Sequence, residues 1–205
     1  MVAKLLTQYQ NLKFLRMKKD KIFLKKYFNK INDALRFNDQ LNQQILKTKN
    51  IFKQCAKKKG KVIFFGNGGS AAIASHLSVD LNKNAKIPSI SFNDPSIITC
   101  YANDFGFDRW ISKTIELSIT KKDVIVLISS SGKSQNILNA AKIAKKKKIK
   151  LITLSGMSKK NKLKKMGTIN FWVKSNSYNV IETAHQFYLM AVIDLIIGKA
   201  EYKAK

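Results

Sequence analysis

Residues 62–71 read VIFFGNGGSA, a short apolar run that leads directly into a glycine-rich turn. The run VIFF is typical of a strand that is buried on both faces, because polar and apolar residues do not alternate in it. The glycines that follow let backbone N–H groups approach a ligand closely, and the N-terminus of a helix after them favours an anion. This stretch therefore predicts a strand, an anion-binding turn and a helix, in that order.

Four further β-rich runs follow along the chain, namely PSISF (88–92), VIVLI (124–128), KLITL (150–154) and TINFW (168–172). The stretches between them are helical or loop-like, and this alternation is typical of βαβ units. We therefore expect an α/β fold with a parallel sheet that is covered on both faces. An apolar stretch from Asn179 to Gly198 predicts a last helix that packs on the sheet or on another subunit.

Residues 1–59 contain no glycine or proline and place apolar side chains at helical spacing, which predicts two or three helices. Gly60 follows a run of lysines and is predicted to be the glycine that ends the last of these helices. We expect residues 1–59 to form an N-terminal helical region, within the same domain or at an oligomer interface. Residues 60–200 are then the α/β domain.

The charge balance of the chain bears on its partners. Its 205 residues include 39 Lys+Arg against 12 Asp+Glu, a net charge of +27, which favours nucleic acid or an anionic membrane as a partner. Only three of the basic residues are arginine, so the planar group that reads phosphates and guanines is scarce, and we do not expect nucleic acid. The lysine-rich segment 141–150 is interpreted as the C-terminal turn of a helix, with a nucleic-acid surface as the weaker alternative.

The cysteine content and the hydropathy pattern indicate a compartment. Cys55 and Cys100 are too few for a disulfide framework, so a reducing environment is expected. The N-terminus lacks the pattern of a signal peptide, and no run of 18 apolar residues predicts a membrane span. We expect a soluble cytoplasmic protein.

A second polar turn, SSSGKS at residues 129–134, follows the third predicted strand and also opens a helix. Serine hydroxyls can donate hydrogen bonds to several oxygens of one phosphate. In an open parallel sheet the ligand crevice lies beyond the carboxyl ends of the strands, so both turns should face the same crevice. Helix capping and turn chemistry account for one or two serines, but not for four in six positions.

The first turn also satisfies the GxGxxA form of the dinucleotide-binding fingerprint, which is a weak signal on its own. That fingerprint expects an acidic residue about 20 residues further on, to hold the ribose. Asp94 comes 28 residues after Gly66, and the serine-rich turn has no place in a dinucleotide site. The fingerprint is therefore the less favoured interpretation.

The segments GNGGSA (66–71), NDPSIITCYANDFGFDRW (93–110) and ISSSGKSQNIL (128–138) together resemble the SIS (sugar isomerase) domain, in particular its phosphoheptose isomerase branch. The resemblance implies a three-layer α/β/α sandwich with a five-stranded parallel sheet, preceded by N-terminal helices. It further implies a homotetramer with active sites at subunit interfaces, and zinc as cofactor. The implied reaction is aldose–ketose isomerisation of sedoheptulose 7-phosphate to D-glycero-D-manno-heptose 7-phosphate, for lipopolysaccharide or surface-glycan heptose.

The same resemblance assigns the substrate contacts to three turns, with the serines of the second turn around the phosphate. The implied contacts are Asn67, Gly68, Gly69, Ser70, Asn93, Asp94, Ser129, Ser130, Ser131 and Ser134, together with Glu182.

The catalytic carboxylate is expected on the helix after the first turn. The family has a histidine there and, four residues later, a glutamate; here these positions hold His76 and Asp80. The resemblance implies His76, Asp80 and Glu182 as the metal ligands. Residues four apart, such as His76 and Asp80, share a helix face, and histidine with carboxylates suits zinc. Isomerisation through an enediolate needs a base and an acid or metal, and Asp80 is the first candidate for the base. A plain surface or interface ion pair is the alternative for His76 and Asp80.

The last helix departs from the family pattern. The family carries a glutamine and, eight residues later, a catalytic histidine, where this chain has Glu182 and Met190. Methionine cannot transfer protons, so His185 is the candidate that replaces the missing acid; a helix cap or an interface position is the alternative. Two functions follow: an active isomerase with Asp80, Glu182 and His185 as catalytic residues, or an impaired SIS-domain protein that binds sugar phosphates or associates with a replication initiator.

Overall fold

A computed structural model describes the backbone of residues 2–201 and the side chains of residues 16–201. It divides into two compact units, one up to Arg36 and one from Phe37 onward. Its helices are α1 (Val2–Leu35), α2 (Asp39–Lys57), α3 (Gly69–Lys83), α4 (Pro95–Phe105), α5 (Trp110–Ser118), α6 (Gln135–Lys146) and α7 (Tyr178–Ile197), with a short 3-10 helix at Leu163–Lys165. Its strands are β1 (Val62–Phe65), β2 (Ser89–Ser91), β3 (Val124–Ser129), β4 (Lys150–Ser155) and β5 (Ile169–Trp172).

The first unit consists of α1. Its sequence has no helix breaker, and the rings of Phe23 and Tyr27, one turn apart, stack with their centroids 6.2 Å apart. Five large apolar side chains in the described part of this helix are exposed, namely Met17, Ile22, Phe23, Leu24 and Phe28. With α2, this gives two helices before the sheet, within the predicted two or three.

The second unit is built on a five-stranded sheet whose strands are all parallel, in the order β2-β1-β3-β4-β5. Helix α3 lies in the crossover from β1 to β2, and α6 lies in the crossover from β3 to β4. These two crossovers run in opposite directions along the sheet. Because such crossovers are right-handed, the two helices lie on opposite faces of the sheet. Helices α5 and α6 cover one face, and α2, α3 and α7 cover the other. The predicted three-layer α/β/α sandwich is confirmed.

Strand β1 contributes apolar side chains to the core on both faces of the sheet. Ile63 and Phe65 belong to the apolar core under α5 and α6, where Phe65 packs against Trp110 with ring centroids 6.0 Å apart. Phe64 points to the other face and meets Phe52 of α2 at 6.3 Å. Because both faces of the strand are covered, an apolar run without alternation is the stable sequence there.

The end of α2 differs from the expectation. The residue with positive φ is Lys59, at 56°, whereas Gly60 follows one position later. A Cβ on Gly60 would collide with the carbonyl of Lys122, so close backbone approach, rather than a left-handed conformation, requires glycine there. Helix α2 itself packs against α7 and β5 within the second unit, so the division into residues 1–59 and 60–200 stays a prediction.

Helix α7 is long and apolar enough, by length and composition, to cross a membrane. In the described part of the chain it packs on α2 and α3, and 44% of its most apolar window is buried inside the fold. Its buried side chains, among them Ile181, Ala184 and Tyr188, lie within the second unit.

The lysine-rich segment includes a residue with a structural task. Lys145 and Lys146 lie in the last turn of α6, as predicted. Lys147 follows them, and its Nζ donates hydrogen bonds to the carbonyls of Ile115, Glu116 and Ile119, at 2.9, 3.0 and 3.0 Å. These carbonyls lie at the C-terminus of α5, where they have no donor within the helix. A cation there satisfies them and interacts favourably with the helix dipole.

The Lys147→Met variant is expected to lose about 1–2 kcal/mol of unfolding free energy, because the carbonyls at the end of α5 lose a charged donor while the aliphatic stem is kept. Urea unfolding at neutral pH measures the loss. Lys142→Met is the matched control, since Lys142 is exposed on the same helix. Equal stability of the two variants would contradict this account.

Candidate active site

The strand order reverses between β1 and β3, and in parallel sheets ligands bind beyond the carboxyl ends of the strands at such a point. The turn after β1 opens α3 on one face of the sheet, and the turn after β3 opens α6 on the other. The two turns that the sequence singled out therefore meet at one edge, as predicted.

A pair of amides joins the two turns. Asn67 Nδ2 donates to Asn136 Oδ1 at 3.0 Å, and Asn136 Nδ2 donates back to Asn67 Oδ1 at 2.9 Å. Asn136 is 2% exposed, and sequence reasoning did not single it out, although it lies two residues beyond Ser134 in the second motif. The side chain of Asn67 therefore holds the turns together. Gly68, with φ of 53°, takes a conformation that favours glycine.

Three serines of the second turn face the N-terminus of α6. Ser129 and Ser134 are hydrogen-bonded through their hydroxyls at 3.1 Å, and Ser131 Oγ accepts from the backbone N–H of Lys133 at 3.2 Å. Ser134 is the N-cap residue of α6, and its side chain makes no capping bond, so the contact with Ser129 is the one hydrogen bond found for its hydroxyl among the described residues. Gly132 allows the sharp turn, since its φ is 61° and a Cβ would lie 2.5 Å from Cγ of Asn161. This arrangement suits a phosphate.

The fourth serine of the turn points to the opposite face of the sheet. Ser130 Oγ donates to Glu182 Oε1, on α7, at 3.4 Å. The serine turn thus has a phosphate side, towards α6, and a side that opens towards α3 and α7.

A cleft of about 430 Å³ lies between α3 and α7 on that second side. It is lined by Gly69, Ala72, Ile73, His76, Asn179, Glu182, Thr183 and Gln186. Of these, Gly69, His76 and Glu182 were predicted site residues. The polar residues of α7 recur at positions i, i+3, i+4 and i+7, and this polar stripe on an apolar helix was the signal that the sequence analysis missed.

The carboxylate of Glu182 lies against the first residue of α3. A Cβ placed on Gly69 would lie 2.8 Å from Cδ of Glu182 and nearer still to Oε2. Glycine at position 69 therefore makes room for the carboxylate, and the N-terminus of α3 favours its negative charge.

His76 and Asp80 form the predicted pair on α3. His76 Nε2 lies 3.2 Å from Asp80 Oδ2, and Asp80 Oδ1 accepts from Asn84 Nδ2, also at 3.2 Å. The His76 side chain is half exposed and lines the cleft, whereas Asp80 is more buried and is not part of the lining. The proximity of the pair agrees with the predicted spacing, but Asp80 bonds to its neighbours on the helix.

The three predicted zinc ligands do not form one cluster within the described part of the chain. Zinc sites take at least three protein ligands from Cys, His, Asp and Glu side chains. Among residues 16–201, no three such side chains lie close enough to hold a metal ion. His76 and Asp80 bond to each other, Glu182 lies against Gly69, and Met190 offers no zinc-binding group. Within a single chain, His76, Asp80 and Glu182 therefore do not form a zinc site.

His185 does not reach the cleft. Its side chain is completely buried, and Nε2 donates to the carbonyl oxygen of Ser155 at 3.1 Å. Burial lowers the pKa of His185 to about 4. A buried imidazole in this position cannot exchange protons with a substrate, so the predicted role of His185 as the replacement acid is wrong. It is neither a helix cap nor a surface residue but a donor to the end of β4.

The turn after β2 carries the remaining predicted contacts. Asn93 Nδ2 donates to the carbonyl of Ala71 at 2.7 Å and to Ser75 Oγ at 2.8 Å, which ties this turn to α3. Asp94 is the N-cap of α4 and accepts from the backbone N–H of Ser96 at 2.8 Å; the hydrogen bonds from Ser96 lower the pKa of Asp94. Ser70, in the first turn of α3, is buried.

Comparisons with known proteins agree with this geometry. The sequence profile of the SIS domain matches residues 26–156. The phosphoheptose isomerase of Cytophaga hutchinsonii is 38% identical over 58% of this chain and 64% of its own length, and that of Buchnera aphidicola is 34% identical over 78% and 86%. The structure of phosphoheptose isomerase from Neisseria gonorrhoeae superimposes with a TM-score of 0.78 at 26% identity, over 88% of this chain and 98% of that one.

Proposed function

Because this chain belongs to the SIS domain family, in its phosphoheptose isomerase branch, we propose that it interconverts sedoheptulose 7-phosphate and D-glycero-D-manno-heptose 7-phosphate. One observation carries the proposal. Ser129, Ser131 and Ser134 form a serine cradle at the N-terminus of α6, and Ser130 of the same turn contacts Glu182, which lines the cleft together with His76. The cradle suits the phosphate, and the cleft suits the carbonyl end of the sugar.

The reaction moves a hydrogen between C1 and C2 of the sugar and a second one between their oxygens. It needs a base for the carbon-bound proton and an acid that polarises the carbonyl. Ser129, Ser131 and Ser134 hold the phosphate in this proposal, and Glu182 with His76 provides the groups that can accept and donate protons. No step of this scheme is assigned to zinc, because the described residues of one chain do not form a zinc site.

The proposal also includes an oligomeric state and a cellular compartment. Exposed apolar side chains along α1 support self-association, and we assign the homotetramer that the resemblance implies. The heptose product would enter lipopolysaccharide or surface-glycan synthesis in the cytoplasm. A sugar-phosphate-binding protein without catalytic activity is the less favoured function, since the relatives named above are isomerases.

Purified protein is expected to convert sedoheptulose 7-phosphate to the aldose, followed by NMR. Ser134→Ala is expected to raise KM by tenfold or more, because a hydrogen bond to a charged group is worth about 1.5–3 kcal/mol. Ser118→Ala is the matched control, since Ser118 is exposed at the end of α5.

Absence of turnover on every C5 to C7 ketose phosphate would refute the isomerase. Thermal stabilisation by sedoheptulose 7-phosphate in that inactive protein would then identify a sugar-phosphate binder.

A further inference from the structure

We propose that a lysine-lined cleft at the amino ends of β4 and β5 binds a ligand with two or more linked phosphate groups, such as an inorganic polyphosphate or the phosphate chain of a nucleotide. The cleft has a volume of about 410 Å³, which suits a small molecule. It lies at the opposite edge of the sheet from the serine cradle, so binding there does not depend on the proposed isomerase function.

Four lysine side chains line this lysine cleft. Lys145 lies in the last turn of α6, Lys148 follows in the turn after that helix, Lys150 is the first residue of β4, and Lys165 ends the 3-10 helix before β5. All four residues are exposed. Among the described residues, no carboxylate lines the cleft, and no ion pair is found for these lysines. Amines that share one cleft repel one another, and an anion with several charges relieves this repulsion.

Lysines also occur elsewhere along this edge of the sheet, at positions where the backbone disfavours them. Lys59 precedes β1, Lys86 precedes β2 and Lys148 precedes β4, and each has a φ of 56°. Glycine or asparagine is the usual residue in this left-handed conformation, so the chain keeps lysine at three positions in spite of a backbone cost. Asp123, just before β3, is 8% exposed and accepts two backbone N–H hydrogen bonds, so its carboxylate is engaged within the fold.

The lining of the lysine cleft favours phosphate groups over other parts of a ligand. Lysine binds phosphate oxygens as a compact charge, and the exposed hydroxyl of Thr168, for which no hydrogen bond is found among the described residues, can donate to one more oxygen. The described lining includes no aromatic ring on which a base could stack and no arginine. We therefore expect recognition through the phosphate chain, and the same lining disfavours a nucleic acid.

The lysine cleft and the serine cradle are separate sites. Strand β4 runs from Lys150, in the cleft, to Ser155, which pairs with Ser129 of the cradle. Five residue steps along a strand span about 17 Å. Variants of one site can therefore be made without changing the other.

Isothermal titration calorimetry of the purified full chain with inorganic tripolyphosphate tests the site. The variant that combines Lys148→Gln, Lys150→Gln and Lys165→Gln is expected to weaken binding tenfold or more, because it removes three of the four charges. The single variant Lys165→Gln is expected to weaken binding by about threefold, and it keeps the test valid if the triple variant is unstable. Thermal unfolding without ligand shows whether each variant is folded.

A matched control separates the cleft from the net charge of the chain. It makes the same change of charge at three exposed lysines outside the cleft, namely Lys47→Gln, Lys83→Gln and Lys174→Gln. This control is expected to weaken binding by less than about twofold, since exposed charges at a distance are screened. Equal losses in the two triple variants would mean that binding follows net charge alone, and would overturn the site.

Other ligands identify the chemistry that is recognised. Orthophosphate is expected to bind at least tenfold more weakly than tripolyphosphate, because one phosphate cannot neutralise four amines. Equal affinities of these two anions would overturn the requirement for linked phosphates. ATP that binds as tightly as tripolyphosphate would identify the phosphate chain as the ligand, and ATP that binds tenfold more tightly would identify a nucleotide; both results support the site.

Three further outcomes would overturn the site. The first is the absence of tripolyphosphate binding at low salt. The second is loss of binding in Ser134→Ala with retention in the cleft variant, which would place the anion in the serine cradle. The third is a short oligothymidylate that binds more tightly than tripolyphosphate and loses affinity in the cleft variant, which would identify a nucleic-acid surface instead.

Discussion

Replacing Gly69 with alanine is expected to lower kcat about a hundredfold while the protein stays folded. The new Cβ would lie 2.8 Å from Cδ of Glu182, closer than unbonded carbon atoms approach. The clash involves the far end of a flexible side chain, so the Glu182 carboxylate moves and α3 does not. A displacement of about 1 Å at a reacting group costs about a hundredfold in rate.

Stability should not fall with this substitution. Gly69 is the first residue of α3, its φ is not in the left-handed region, and alanine is preferred to glycine in helices by up to about 1 kcal/mol. Thermal unfolding therefore separates a displaced carboxylate from a damaged fold. An unfolded or strongly destabilised variant would contradict the structural account.

A double-mutant cycle provides the control. If Gly69 acts only by leaving space for the carboxylate, the Gly69→Ala change lowers kcat in the wild type but adds nothing in the Glu182→Gln background. Additive losses would mean that the alanine blocks the substrate directly. Full activity of Gly69→Ala alone would show that the carboxylate position does not matter.

The sheet could be predicted because its strands are apolar on both faces. β1 and β3 are buried along their whole length, and the runs VIFF and VIVLI mark them without ambiguity. The run PSISF is shorter as a strand, Ser89–Ser91, since β2 is an edge strand that pairs with β1 alone and is only partly buried. The residues on either side of β2 would therefore gain less free energy from additional strand pairing.

The site was predicted in part. Strand order brings both turns to one edge, so the motifs alone located the crevice. The directions of individual side chains could not be predicted from the sequence. Ser130 points to α7 while its neighbours face α6, and Asp80 bonds to His76. These choices depend on tertiary packing between helices that are distant in sequence.

The error at His185 could have been avoided with helical periodicity. Ile181, Ala184, Tyr188 and Val192 are all buried, and His185 belongs to the same stripe of α7. The polar stripe that contains Glu182 lies on another face. A histidine between buried apolar neighbours is more readily explained as a core residue than as an acid in a cleft.

The buried His185 is expected to make stability depend on pH in acid solution. Desolvation lowers its pKa from 6.5 to about 4 in the folded state, whereas the unfolded chain keeps the ordinary value. Between these values the unfolded state binds the proton and the folded state does not, so acid favours unfolding. The stabilisation is fully present above pH 6.5 and is lost as the pH falls towards 4, by about 3 kcal/mol.

The His185→Gln variant isolates this contribution, because glutamine keeps a donor for the Ser155 carbonyl but does not titrate. Denaturant unfolding between pH 7 and pH 4 is expected to show a steeper loss of unfolding free energy in the wild type than in the variant. His76, the other histidine of the chain, is present in both proteins, so its effect cancels in the difference. Parallel profiles would mean that His185 is protonated in the folded protein, which its complete burial beside a carbonyl makes unfavourable.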